Sequence, residues 1–178
     1  MEMVTAAWAT FRTPWGDGGL VMAGDRLLEV RLPGPGAAVM DAIGTDGGPP
    51  TALLRLWTER LERYLQTGVP RWTASDVAAE IDALVTTEFR RDVYRALVTI
   101  PPGETVAYGE LAAMAGRPGA ARAVGSAMAA NPLALVVPCH RVIRGDGSLG
   151  HYGDCDAWKA DLLALEGVPL APTGRHRS

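Results

Sequence analysis

Three adjacent residues, Cys139, His140 and Arg141, carry side chains that together could perform nucleophilic chemistry. A cysteine attacks as its thiolate, which nearby positive charge favours over the thiol. The three residues follow an apolar run over 133–137 that predicts a buried strand. Because neighbouring side chains on an extended chain point in opposite directions, His140 needs a bend or a bridging water to act on Cys139. A buried cysteine with a purely structural role would give the same local pattern.

A zinc site is a second interpretation of this region, with Cys139, His140, His151 and Cys155 as ligands. Zinc ligands are normally two to four residues apart within each pair. Cys139 and His140 are directly adjacent, so the spacing disfavours a metal site and we expect none.

The segment before the cysteine predicts two short helices, over 107–115 and 120–130, joined by a Gly-Arg-Pro-Gly turn. This pattern is typical of a helix-turn-helix, although any helical hairpin would match it. The second helix consists of small residues around one long cation, Arg122. Small side chains let a helix approach a partner closely, and an inserted side chain suits the minor groove of DNA.

The first half of the chain predicts a small α/β unit. Alternating apolar residues and Gly/Asp turns favour short antiparallel strands over 8–13, 20–23 and 27–32. A Gly- and Pro-rich loop over 34–50 and a helix over 51–67 follow, then a helix or strand-like linker over 74–85 and a helix over 87–100. The predicted fold is a small antiparallel sheet plus helix, then a mainly α part with the helix-turn-helix and a short active-site strand. We expect domains over 1–84 and 85–170 and a tail over 171–178.

Composition excludes several classes of protein. The 178 residues are 48% hydrophobic, which excludes wholesale disorder, and their net charge is −3. No apolar run could span a membrane, and the N-terminus does not resemble a secretory signal. Two cysteines are too few for a disulfide scaffold, which favours the cytoplasm.

The charge is distributed unevenly along the chain. Residues 1–88 carry 7 basic and 12 acidic side chains, net −5, whereas residues 89–178 carry 10 and 8, net +2. Residues 117–144 contain four arginines and no carboxylate. Although a net charge of −3 argues against nucleic-acid binding, the second half alone could face an anionic partner.

From residue 89 to 167 the chain resembles the O6-alkylguanine-DNA alkyltransferases, also called methylated-DNA–protein-cysteine methyltransferases. The motifs, in order, are Ile-Pro-Pro-Gly-Glu-Thr-Val (100–106), Ala-Tyr-Gly-Glu-Leu-Ala (107–112), Ala-Ala-Arg-Ala-Val-Gly (120–125), Asn-Pro (131–132), Pro-Cys-His-Arg-Val (138–142) and Leu-Leu-Ala-Leu-Glu-Gly (162–167). The resemblance implies repair by a monomer without a cofactor. The expected substrate is double-stranded DNA that carries an alkyl group on O6 of guanine, or on O4 of thymine. The resemblance implies that this alkyl group moves irreversibly to the cysteine of the protein.

The resemblance also implies residue roles. Cys139 matches the attacking cysteine, His140 the histidine that activates it through water, and Glu166 the carboxylate that orients the histidine. Asn131 matches the asparagine that links the DNA-binding helices to the cysteine segment. The remaining matches concern DNA. Tyr108 matches the tyrosine that helps turn the target nucleotide out of the duplex, and Arg122 the arginine that takes the place of the flipped base in the stack. The resemblance places Met128, Val142, Tyr152 and Gly153 in the guanine pocket, and further DNA contacts are expected from Ala121, Gly125 and Arg141.

The chain departs from the family pattern at two places. After Tyr152 the family usually has consecutive glycines, where this chain has Gly153-Asp154-Cys155, which bears on alkyl preference. Some relatives hold zinc in the N-terminal part, but residues 1–88 contain no Cys or His.

Three other functions remain as alternatives. A lesion-binding alkyltransferase-like protein would lack the cysteine that this chain keeps. An alkylation-sensing DNA-binding regulator would need a dimerisation or sensory segment that is not evident. A Cys-His hydrolase would turn over repeatedly, whereas an alkyltransferase acts once.

Overall fold

The computed structural model describes residues 6–34, 51–152 and 156–170. Nearly all of the predicted loop over 34–50, the pocket residue Gly153 and the tail over 171–178 lie outside these ranges. The chain begins with an antiparallel sheet in the order β1 (Ala6–Thr13), β2 (Gly16–Ala23) and β3 (Arg26–Arg31). The predicted strands are therefore present, each with slightly different ends.

Helix α1 (Ala52–Thr67) packs on this sheet. The Thr51 side chain caps it by accepting a hydrogen bond from the Leu54 amide at 3.1 Å. Its buried face is formed by Leu54, Trp57, Leu61, Tyr64 and Leu65. The helix ends at Gly68, whose φ of 69° is accessible to glycine at little cost.

Two helices connect α1 to the second half of the chain. Residues 74–85, which fitted a helix or a linker, form helix α2 (Ala74–Leu84). Thr73 and Asp76 make a capping box there, which explains why the helix starts at Ala74. Helix α3 (Glu88–Leu97) follows and is shorter than the predicted 87–100 because Val98 and Ile100 continue only as turns.

The second half is mainly helical. It contains β4 (Val106–Ala107), α4 (Tyr108–Met114), α5 (Ala121–Ala129), β5 (Val142–Ile143) and α6 (Asp156–Leu165). Helices α4 and α5 pack together as the predicted hairpin, and β4 pairs in parallel with β5. The fold class is therefore confirmed. Among the described residues, every helix is too short or too polar to cross a membrane.

The strand predicted over 133–137 is wrong. Only Leu133 forms a bridge, to Val30, and the chain then turns, with the Val137 amide 2.9 Å from the Leu133 carbonyl and Leu135 at a φ of 70°. The segment is buried, as its apolar residues predict, but apolar content reports burial and does not distinguish a strand from a buried turn. The short strand near the cysteine is β5, which follows it.

Hydrogen bonds join the first half of the chain to the second. The Val30 amide donates to the Pro132 carbonyl at 2.8 Å, and the Ala134 amide donates to the Val30 carbonyl at 3.0 Å. The Trp15 indole donates to the Asp161 carboxylate at 2.9 Å. The sheet therefore holds the turn before Cys139 directly. The division into domains at residue 84 stays a prediction.

We expect Gly68→Ala to lower the free energy of unfolding by about 2–4 kcal/mol. A Cβ atom there would lie 2.3 Å from the Leu165 carbonyl oxygen, in addition to the strain of a φ of 69°. Gly116→Ala is the matched control, because Gly116 has a φ of 73° but no atom within 4 Å of such a Cβ. Urea unfolding checks this, and equal losses in the two variants would contradict the close contact with Leu165.

Candidate active site

Cys139 lies at the start of a single 3₁₀ turn, Cys139–Arg141, and is 9% exposed. This turn is the bend that the sequence required between Cys139 and His140. The Asn131 side-chain amide donates to the Val137 carbonyl at 2.9 Å and to Cys139 Sγ at 3.2 Å. Its oxygen accepts from the Leu133 amide at 3.0 Å. Asn131 therefore fixes the turn and touches the sulfur itself.

The imidazole of His140 is fully buried beside a carboxylate and a phenol. Nε2 lies 3.0 Å from Glu166 Oε1 and 3.0 Å from Tyr64 Oη. Because an ionised carboxylate only accepts hydrogen bonds, the network places the proton on Nε2. Nδ1 is buried with no hydrogen-bond partner among the described residues, so its lone pair is free to take a proton.

Glu166 is held by a buried arginine. Arg141 Nη2 donates to Glu166 Oε1 at 2.6 Å and Arg141 Nε donates to Oε2 at 3.0 Å, while Nη1 donates to the Ile100 carbonyl at 2.5 Å. Burial alone would raise the pKa of Glu166, but its hydrogen bonds to His140 and Arg141 lower it to about 2. The carboxylate therefore stays ionised at neutral pH.

Burial shifts the other two groups toward their neutral forms. It lowers the pKa of His140, with Glu166 opposing this effect. It raises the pKa of Cys139, with the Asn131 amide, the Tyr152 hydroxyl and the Lys159 ammonium opposing. The resting site is therefore a thiol beside a neutral imidazole, and the proton must leave the sulfur as the reaction proceeds.

Lys159 is buried near the sulfur, and sequence reasoning did not place it in the site. Its ammonium donates to the Val142 carbonyl at 2.6 Å and lies 5.9 Å from the centre of the Tyr108 ring. Burial lowers its pKa to about 8, with Cys139 opposing. The spacing of residues in the sequence could have indicated this position. Lys159 is one helical turn from Leu162 and two from Glu166, so it lies on the buried face of α6.

The predicted pocket residues surround the turn from two sides. Tyr152 is buried, with its ring 6.4 Å from His140 and edge-on to it, and its hydroxyl has no hydrogen-bond partner among the described residues. Val142 is buried directly after the turn, and Tyr108 is half-buried at the start of α4. Met128 packs half-buried on the core from α5.

The predicted DNA-facing residues lie on α5, with one exception. Arg122 is exposed and Ala121 half-buried, while a Cβ on Gly125 would be 4.0 Å from the Tyr108 ring, so the two helices pack closely there. Arg141 was expected to contact DNA, but its guanidinium is 6% exposed and bonded to Glu166. It therefore belongs to the interior of the site, because the 3₁₀ turn points it at α6.

Residues 117–144 contain four arginines and no carboxylate, but in the folded chain two of these arginines pair with carboxylates from other segments. Arg117 pairs with Glu88 at 3.2 Å and with Asp92 at 3.0 Å, and Arg141 pairs with Glu166. The other two arginines of this stretch, Arg122 and Arg144, are exposed and form no ion pair within the described ranges.

The zinc interpretation gains nothing from the geometry. Across the described part of the chain, no three His, Cys, Asp or Glu side chains are grouped as metal ligands. His140 Nε2 is occupied by Tyr64 and Glu166, and His151 contacts Asp156 at 3.1 Å. Cys155 lies outside the described residues.

Residues 88–168 match the family model described as "6-O-methylguanine DNA methyltransferase, DNA binding domain". The chain is 40% identical over 157 residues to the mouse methylated-DNA–protein-cysteine methyltransferase, covering 82% of this chain and 72% of that one. It is 53% identical over 92 residues to the Mycobacterium leprae protein of the same name, in an alignment that spans 52% of this chain and 55% of that one.

The fold is similar to that of a solved bacterial structure. The Mycobacterium tuberculosis OGT crystallised in complex with DNA superposes with a TM-score of 0.71 at 34% identity. The match covers 90% of this chain and 92% of that chain. The likeness therefore includes the sheet and α1 as well as the helical half.

We expect the stability of the wild-type chain to fall by about 2 kcal/mol more than that of Glu166→Gln between pH 5 and pH 3. A carboxylate whose pKa drops to about 2 on folding stabilises the fold above its unfolded pKa and loses that contribution as pH falls. Glu59→Gln, on the exposed face of α1, is the control. Urea unfolding at both pH values checks this, and parallel wild-type and Glu166→Gln curves would contradict the buried ion pair.

Proposed function

The chain belongs to the methylated-DNA–protein-cysteine methyltransferase family and is a DNA-repair alkyltransferase, and we propose that Cys139 is the sulfur that receives the alkyl group. The substrate in this proposal is O6-alkylguanine in double-stranded DNA, with O4-alkylthymine as a second lesion of the same chemistry. The observation that carries the proposal is a buried thiol, held by Asn131 at 3.2 Å, beside an imidazole with a free buried nitrogen.

His140 acts as the general base in this proposal. Its Nδ1 takes the thiol proton through a bridging water, and the sulfur attacks the alkyl carbon. The carbon–O6 bond breaks, its electron pair stays on the guanine, and the proton taken from the thiol neutralises the base. Glu166 stabilises the imidazolium formed on the way, because its carboxylate is 3.0 Å from Nε2 and ionised.

The product explains why one molecule would act once. Transfer converts the thiol into a thioether, which has no ionisable proton and is a poor leaving group. The reaction is therefore stoichiometric and irreversible in this proposal.

Base flipping is part of this proposal, and the depth of the site supports it. The Cys139 thiol is 9% exposed, so a base stacked within a duplex cannot reach it and must be turned out. Helix α5 supports this step, because its small residues permit close approach and Arg122 is exposed to fill the vacated place in the stack. Tyr108 packs against α5 near Gly125, and in this proposal it contacts the extruded nucleotide.

We expect Cys139→Ala and Cys139→Ser to abolish alkyl transfer while DNA binding survives, because only the nucleophile is removed. Mass spectrometry after incubation with an O6-methylguanine duplex checks the adduct, and gel-shift titration checks binding. Cys155→Ala is the matched control and should still carry the adduct on Cys139. Transfer by Cys139→Ala would refute the proposal, and wild-type binding without an adduct would favour a lesion-binding protein.

Arg122→Ala should slow the reaction with a methylated duplex by about 10-fold or more and leave the reaction with free O6-benzylguanine nearly unchanged. Only the duplex requires a base to be turned out and its place filled. Arg63→Ala, on the exposed face of α1, controls for the loss of one positive charge. Equal losses on both substrates would contradict the base-flipping role of Arg122.

A further inference from the structure

We propose that Tyr64, from helix α1 in the first half of the chain, is a positioning residue for the His140–Glu166 pair. Its hydroxyl donates to Glu166 Oε1 at 2.5 Å and lies 3.0 Å from His140 Nε2. Neither the sequence motifs nor the roles inferred from the family resemblance include it. The inference rests on the proposed role of His140 as the base.

The Tyr64 hydroxyl is held in place from several sides. The residue is fully buried, and its ring packs edge-on against Trp72 at 5.5 Å. Helix α1 is fixed on the sheet through the residues one turn away on the same face, such as Leu61. A side chain packed in this way has one accessible rotamer, so its hydroxyl is a fixed reference point for the two groups that it contacts.

The hydrogen-bond roles of the three groups are determined by their proton counts. Burial and the neighbouring Glu166 raise the pKa of Tyr64, so the phenol keeps its single proton. That proton goes to Glu166, which is ionised and can only accept. The phenol oxygen must then accept from His140 Nε2–H, which it shares with Glu166 Oε1.

This arrangement fixes which nitrogen of His140 is basic. With two acceptors sharing the Nε2 proton, the imidazole is held in one tautomer and one orientation. Nδ1, which is buried without a partner among the described residues, then keeps its lone pair for the thiol proton. The hydrogen bonds of the Tyr64 hydroxyl are to the histidine and the carboxylate, and in this proposal Tyr64 acts through them.

The signal for this role in the amino-acid sequence is weak. Tyr64 and Leu65 both extend the apolar face of α1, and the repeat Leu53, Trp57, Leu61 and Leu65 explained the helix without Tyr64. A tyrosine on a buried face needs a partner for its hydroxyl, however. The partner lies 102 positions along the chain.

The test is Tyr64→Phe, which removes the hydroxyl and keeps the ring. We expect the maximal rate constant for reaction with free O6-benzylguanine to fall about tenfold, and the half-saturating concentration to change less than about twofold. Proton transfer from Cys139 is impaired in this variant, whereas the substrate pocket is not altered. Single-turnover kinetics separate the two quantities.

The pH dependence distinguishes positioning from a general structural defect. As pH rises from about 6 toward 9.5, a growing fraction of the thiol ionises without help from His140, although burial raises its pKa, so the gap between wild type and Tyr64→Phe should narrow. Lys159, with a pKa of about 8, loses its proton over the same range in both proteins and so creates no difference between them. A variant that only loosened the fold would show the same gap at every pH. Thermal unfolding of each variant confirms that folded protein is being compared.

Tyr94→Phe is the matched control. Tyr94 is also buried, and its hydroxyl donates to the Ala127 carbonyl at 2.7 Å and makes no hydrogen bond to His140 or Glu166. The Tyr94→Phe variant loses a comparable buried hydrogen bond and should keep the wild-type rate with free O6-benzylguanine. If both phenylalanine variants were slowed equally, the effect of Tyr64 would be one of stability, and the proposal would fail.

His140→Gln completes a double-mutant cycle. If Tyr64 acts through His140, adding Tyr64→Phe to His140→Gln should not slow the reaction further. A wild-type rate in Tyr64→Phe together with a slow His140→Gln would overturn the inference and leave the proposed function intact. A wild-type rate in His140→Gln would instead overturn the assignment of His140 as the base.

Discussion

The burial of one carboxylate, Glu166, is the constraint on which the rest of the site depends. An ion in the interior is costly unless it is paired and hydrogen-bonded on every side. Here Arg141 supplies a bidentate pair, and His140 and Tyr64 occupy Oε1 from the other direction. These partners come from the 3₁₀ turn and from α1, so satisfying the carboxylate requires the sheet-packed helix, the turn and the end of α6 to meet at one point.

The same burial produces a site that is unreactive at rest. Desolvation raises the pKa of Cys139 and lowers that of His140, so the neutral pair is favoured over thiolate and imidazolium. In the proposed reaction, in which each molecule acts once, such a site keeps the nucleophile neutral until a substrate is in place. Asn131 and Lys159 oppose the effect of burial on the pKa of Cys139, since both favour negative charge on the sulfur.

The sequence predicts the chemistry better than the path of the chain. Cys139, His140, Asn131 and Glu166 could be picked out because they sit in ordered motifs, and the structure brings them together. The turn over 133–137 could not be predicted, because nothing in a run of apolar residues indicates that Leu135 adopts a positive φ. Long-range contacts could not be predicted from the sequence either. The pairing of Arg141 with Glu166 and the position of Tyr64 depend on which helices pack together.

Electrostatics alone cannot bring this protein to DNA. The chain has a net charge of −3, and the fold neutralises Arg117 and Arg141 of the arginine-rich stretch with carboxylates from α3 and from Glu166. Of the four arginines in residues 117–144, this leaves Arg122 and Arg144 exposed without an ion pair in the described ranges, so this stretch displaces few counterions and attracts DNA of arbitrary sequence only weakly. In the proposed mode of binding, recognition comes from fit at α5, since its small residues let the backbone approach a groove that bulkier side chains would keep at a distance. One face of α5 is anchored in the core by Val124 and Ala127, with Met128 half-buried beside them, so it is the small residues on the rest of the helix that close approach explains better than folding does.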